Sequence, residues 1–166
     1  MQTVMLADGF GEVVIVPSLG AGLAAERATA RQLAEIEEAF LAMVESNSRD
    51  DEAWSTADLA FHTAIIDASG NWIYRHFGSA IRAALLVTFR LTHRHTTSQG
   101  DVVAMHRNVL DAIRLRRPEE AAAAMRVLIK LARKELKVVL DAALSDGPLP
   151  MLRGGNSSIT RRGRQK

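Results

Sequence analysis

The chain contains no cysteine in its 166 residues. Disulfides and thiolate metal sites are therefore excluded, and the composition fits a cytoplasmic protein. No apolar run approaches the roughly 18 uncharged residues that would mark a membrane-spanning helix. The N-terminus lacks a basic segment ahead of its apolar residues, so it does not read as a secretory signal. Acid is missing from residues 151–166, which instead carry Arg153, Arg161, Arg162, Arg164 and Lys166. Taking those five charges from the net +2 leaves −3 for residues 1–150. The high pI thus belongs to the tail and does not make the body a nucleic-acid binder. The Gly, Ser, Asn and Arg content predicts a disordered basic tail over residues 147–166, with weak attraction to nucleic acid as its sharper alternative.

What is present is apolar material, 48% of the chain, enough for one domain with a proper core. Its spacing is helical. Thr29-Ala30-Arg31-Gln32 fits a capping box, and Leu33, Ile36, Phe40 and Met43 then recur every three or four residues. Ser46 to Asp51 is a polar turn whose Asp50 can cap the next helix. That helix ends at Ser69-Gly70-Asn71, where glycine suits a left-handed position and Asn71 can cap its successor. The successor is expected from Trp72 to about His93, with a polar loop over His93–Gly100. A fifth helix runs from Asp101 to about Arg116. Pro118 opens the last, with Glu119 and Glu120 at its positive end, and it reaches about Ser145 before Gly147 and Pro148. Short connections imply antiparallel neighbours. The expected fold is all-α, an antiparallel bundle of about six helices over residues 23–146. Residues 1–22 read as poorly specified. Val13 to Val16 look strand-like but have no partner strand, and a weakly formed helix or an extended arm are the alternatives.

The helix from Trp54 to Asn71 carries the chemistry. Trp54, Ala57, Phe61, Ile65 and Ala68 form its apolar stripe. Beside it, Asp58, His62 and Ile66 form a second column, four residues apart and so stacked on one face. A carboxylate and an imidazole next to a buried stripe want a common partner, because isolated polar groups are costly there. A metal ion or an anionic ligand would supply one; a plain Asp–His hydrogen bond at the core edge is the bland alternative. His106 shares a column with Leu110 and Ile113 on the fifth helix. The last helix returns antiparallel and places Leu128, or a near neighbour, level with it. The hairpin thus offers a second wall to a pocket whose first wall holds Asp58 and His62.

DLAFH at 58–62, ASGN at 68–71 and MHRNVLDAIRLRRPEEAAAAM at 105–125 resemble the C-terminal effector domain of the GntR superfamily, of the fatty-acid-regulator (FCD) type. LAAERAT at 23–29 is similar to that domain's opening, and the resemblance covers roughly residues 23–140. It implies a bundle of about six or seven antiparallel helices that binds a small carboxylic acid, often beside a divalent metal. Ligand binding in such a dimer changes the spacing of attached winged-helix DNA readers. Asp58, His62 and His106 match three of the family's metal ligands. The fourth is normally the histidine of an M-R-x-H pattern, and here Met125-Arg126-Val127 is followed by Leu128, which cannot ligate. Zinc, manganese or nickel would suit the remaining set, with water or effector completing the shell. His76, His93 and His95 read as solvated loop histidines. Arg90 and Arg82, eight apart on the fourth helix, are the candidates to meet the effector carboxylate. Trp54 and Trp72 read as core or dimer-interface residues.

The family's winged-helix domain takes about 70 residues, whereas only 22 precede LAAERAT and they show no helix-turn-helix pattern. DNA would be reached only through such a domain. The chain therefore reads as the effector-sensing part of a regulator, truncated or free-standing, forming a homodimer. One alternative is a dimerisation module that modulates a full-length regulator. Another is a metal-assisted hydrolase or lyase, for which neither a separate general base nor a nucleophile–histidine pair is apparent; the protein is read as not an enzyme.

Overall fold

The computed structural model describes residues 17–46, 51–74 and 99–145. Helix α1 covers residues 17–27, α2 Ala30–Glu45 and α3 Asp51–Ala68; residues 72–74 open α4; α5 spans Gln99–Arg114 and α6 Pro118–Ser145. There is no strand among the described residues. The architecture is the expected all-α bundle. α2 packs on α3, α5 packs on α6, and α2 also meets α5.

Local chemistry sets the helix ends. Thr29 Oγ1 accepts from the Gln32 amide at 3.2 Å, and the Gln32 side chain accepts from the Thr29 amide at 3.0 Å, completing the capping box. Gly70 ends α3 at φ +64°, a left-handed conformation that costs glycine no Cβ clash. The last carbonyls of α3 are met from elsewhere: Arg27 donates to Ser69 O at 3.3 Å and Gln32 Nε2 to Asp67 O at 3.4 Å. Asn71 Oδ1 accepts from the Ile73 amide at 3.0 Å and so caps α4. Arg116, at φ +57°, forms the corner between α5 and α6. Its guanidinium donates to Ala25 O at 3.2 Å and Ala28 O at 2.6 Å, closing the end of α1.

The core is built from Ile36, Phe40 and Met43 of α2, Trp54, Phe61 and Ile65 of α3, and Val109, Leu110 and Ile113 of α5. Met125 and Leu128 of α6 close it. Each large apolar side chain so buried contributes about 1.5–3 kcal/mol. Trp54 belongs to this core at 6% exposure, but Trp72 is 73% exposed and is not a core residue. Asp50, most of the span expected for α4, His76, His93, His95 and the basic tail lie outside the described residues.

Residues 17–22 are helical and continuous with 23–27, which is the helical alternative left open for the N-terminal segment. The helix packs through small side chains. Ser18, Ala21, Gly22, Ala25 and Ala28 are all buried and recur at helical spacing. A search for large apolar residues at that spacing passes over them. A Cβ on Gly22 would sit 3.2 Å from Pro118 O and 3.6 Å from Ala122 Cβ, so glycine lets α1 and α6 approach closely. A smaller shift is at α5, which starts at Gln99 rather than Asp101, leaving Asp101 in the first turn where its charge favours the dipole.

Thr29→Ala is expected to cost about 1 kcal/mol in urea melts through loss of the cap. Gly70→Ala should cost about 1–2 kcal/mol because alanine must adopt the left-handed conformation.

Candidate metal centre

Asp58 and His62 stand one helical turn apart on α3, and His106 reaches them from α5. All three side chains are buried. Both imidazoles turn Nε2 toward the same carboxylate oxygen. His106 Nε2 lies 2.9 Å from Asp58 Oδ1 and His62 Nε2 lies 3.3 Å from it. The three groups can each offer a ligand atom, with all three atoms within 4.8 Å of one another. The structure thus brings together the three residues that the sequence picks out from two separate helices. Arg82 and Arg90 lie outside the described residues.

Two neighbours orient the imidazoles, and neither is apparent from residue type alone. His106 Nδ1 lies 2.8 Å from Val102 O. A carbonyl only accepts, so Nδ1 carries the proton and donates to it. The spacing of four residues on one helix is the signal that would have found this contact. The second neighbour is Phe61, which the sequence presents simply as core. Its ring meets His106 at 5.2 Å between centroids and 71° between planes, and His62 at 5.7 Å and 86°. Phe40 backs Phe61 at 6.3 Å. The imidazoles are therefore wedged edge-to-face and have little freedom to rotate.

This arrangement has a chemical consequence. With Nδ1–H committed to Val102, a neutral His106 presents a lone pair at Nε2. The Asp58 oxygen facing it also holds only lone pairs. Two acceptors 2.9 Å apart require a cation shared between them, either a proton or a metal ion. A ring nitrogen bonded to a backbone carbonyl, with its other nitrogen aimed into the site, is the usual disposition of a metal-ligating histidine. Metal–ligand bonds of about 2.1 Å put neighbouring donor atoms about 3.0–3.4 Å apart in octahedral or tetrahedral shells. The 3.3 Å separation falls in that range and 2.9 Å just short of it, and all three donor atoms lie within 4.8 Å of one another. Two imidazoles and a carboxylate suit zinc, manganese or nickel. The residues present therefore fit a divalent cation. Leu128 is buried in the apolar core of α6 and offers it no donor.

Electrostatics agree with the geometry. Burial alone would raise the Asp58 pKa, but the charge and hydrogen bond of His106, followed by those of His62, outweigh it. They hold the carboxyl well below the ordinary carboxylate range. A folded pKa depressed below the unfolded value of about 3.9 contributes stability that is present above that value and is lost as pH falls from it towards the folded value. Metal-free protein is therefore expected to lose stability between about pH 5 and pH 2. Asp58→Asn, which cannot titrate, should show a shallower acid limb in urea melts over the same range.

Comparison with known proteins adds the following. The FCD domain family matches residues 15–131. The chain is 30% identical over 117 residues to the galactonate operon transcriptional repressor of Escherichia coli (strain K12), covering 70% of this chain and 51% of that protein. It is 34% identical over 110 residues to the HTH-type transcriptional regulator LutR of Bacillus subtilis (strain 168), covering 63% and 50% respectively. Streptococcus agalactiae GntR superposes with a TM-score of 0.64 at 24% identity, over 76% of this chain and 57% of that one, a likeness of fold. The chain spans about half the length of the curated relatives it matches.

Proposed function

The chain belongs to the FCD domain family, and on that premise we propose that it is the effector-sensing domain of a GntR-type transcriptional regulator, answering a small carboxylic acid beside a divalent metal. The observation that carries this reading is the convergence of both Nε2 atoms on one buried Asp58 oxygen. Buried charge of this kind is costly as mere scaffolding, and it matches the donor chemistry of a cation site. One relative is named for the galactonate operon, and galactonate is itself a hydroxylated carboxylic acid.

In this reading Asp58, His62 and His106 hold the cation, which would supply a positive centre for the effector's carboxylate. Three protein ligands leave the rest of the shell to water or effector, since Leu128 adds none. Val102 fixes the His106 tautomer, and Phe61 keeps both rings in place. Arg90 and Arg82, which lie outside the described residues, are proposed to meet the carboxylate by two-pronged hydrogen bonds. The domain acts as a homodimer in the cytoplasm, and the message reaches DNA through a helix-turn-helix reader of the kind LutR's name denotes. The relatives are transcriptional regulators, so the pocket is read as a binding site rather than a catalytic one. No helix among the described residues is long and apolar enough to cross a membrane.

Titration calorimetry with hydroxylated and plain short-chain acids, with and without zinc or manganese, tests this reading. Binding of at least one acid is expected to require metal. His106→Ala and His62→Ala should each weaken metal binding at least tenfold, about the loss seen when even outer-shell partners are removed. A folded protein that binds no metal and no acid would sink the reading.

A further inference from the structure

Helix α6 has an outer face that acid sensing leaves unused. Its inner face is Ala121, Met125, Leu128, Ile129 and Leu136. At 100° per residue, Arg126, Lys130, Arg133, Lys134 and Lys137 fall within an arc of about 100° on the opposite side, along about 16 Å of helix. All five are exposed. Glu135, within the same stretch, projects well to one side of this arc. Lys137 pairs with Asp141 at 2.6 Å, at the C-terminal edge of the stripe. Arg126, Lys130 and Lys134 form no ion pair among the described residues. Val127 and Val138, 55% and 58% exposed, border the stripe. The body from residue 1 to 150 is net acidic, so this concentration of cations is a local feature. The five tail cations follow it in sequence.

Duplex DNA carries one fixed negative charge per about 1.7 Å of axis with both strands counted, a density that few other partners offer to a short stripe of cations. A partner of fixed, closely spaced negative charge fits this face better than a folded protein surface of mixed sign. We infer that the outer face of α6 is a sequence-independent contact for the DNA phosphate backbone, made by the domain itself. The contact gives affinity and register while leaving base recognition to another module. It rests on neither the metal nor the acid, and it adds a route to DNA beyond a winged-helix reader.

The test is fluorescence anisotropy of a labelled duplex of about 20 base pairs and arbitrary sequence, titrated with the full chain from 20 to 200 mM salt. The triple variant Arg126→Gln, Lys130→Gln, Lys134→Gln should keep its circular dichroism and melting temperature, since all three side chains are exposed. Its affinity at 50 mM salt should fall at least about tenfold. Its salt dependence should flatten by about 2.7 in the slope of log K against log salt, about 0.9 for each lost contact. A tail variant, Arg161→Gln, Arg162→Gln, Arg164→Gln, should retain the share that the triple variant loses. The inference is overturned if the parent chain does not bind the duplex at 20 mM salt. It is also overturned if the triple variant binds as well as the parent, or if the tail variant alone abolishes binding. Loss of self-association in the triple variant with DNA binding intact would assign the face to a second copy and equally overturn it. Acid calorimetry on the triple variant should match the parent, so failure here is separable from failure of the sensing reading.

Discussion

One carboxylate oxygen organises the centre of this bundle. Asp58 Oδ1 is buried, charged and approached by two imidazole nitrogens from two helices. Left alone in the apolar interior, that charge would be strongly destabilising. It persists because α3 and α5 each bring a partner to it, so the contact ties the two halves of the chain together as well as forming a site. The surrounding apolar residues have a further task beyond filling space. Phe61 closes the rings in, and Phe40 holds Phe61, while an exposed Arg107 guanidinium lies 5.0 Å above the Phe40 ring. A stack of ring contacts thus runs from solvent to the buried oxygen.

Much of this was legible in the residues. Positions 58 and 62 share a helix face by spacing alone, and Pro118 marks the turn that lets His106 be placed on the facing wall. Helix ends were legible where a side chain or a glycine makes the end, as at Thr29 and Gly70. What escaped was contact made by small groups or by the main chain. α1 was legible only as one alternative, because its buried face is serine, glycine and alanine, whose signal is closeness of approach and not apolar bulk. Val102 is missed because its carbonyl, common to every residue, does the work. Phe61 was found but under-read: its place in the apolar stripe gives burial, and only coordinates give its angle to two imidazoles. Trp72 faces solvent, so of its two readings, core or dimer interface, the first does not hold.

The buried cluster and the basic face take their residues from opposite sides of the α5–α6 hairpin. α5 supplies His106 to the interior, while α6 turns its cations outward. A long helix with an apolar inner stripe and an outer stripe of one sign is stable without help from that outer charge. Arg126, Lys130 and Lys134, exposed on that side, are not needed to hold the helix in place, and Asp58, His62 and His106 lie well away from them in the interior.

The corner at Arg116 has a mechanical meaning. Its guanidinium grips two carbonyls at the end of α1, and the turn it belongs to is fixed by its own left-handed backbone. Gly22 lets α1 lie almost against Pro118 on the same corner. The end of α1 and the tip of the hairpin are thus riveted into one body. His106 lies ten residues before that rivet on a stiff rod about 15 Å long. A tilt of that rod about its far end would carry α1 with it or break the two Arg116 hydrogen bonds, so the first helix and the hairpin tip turn as one lever.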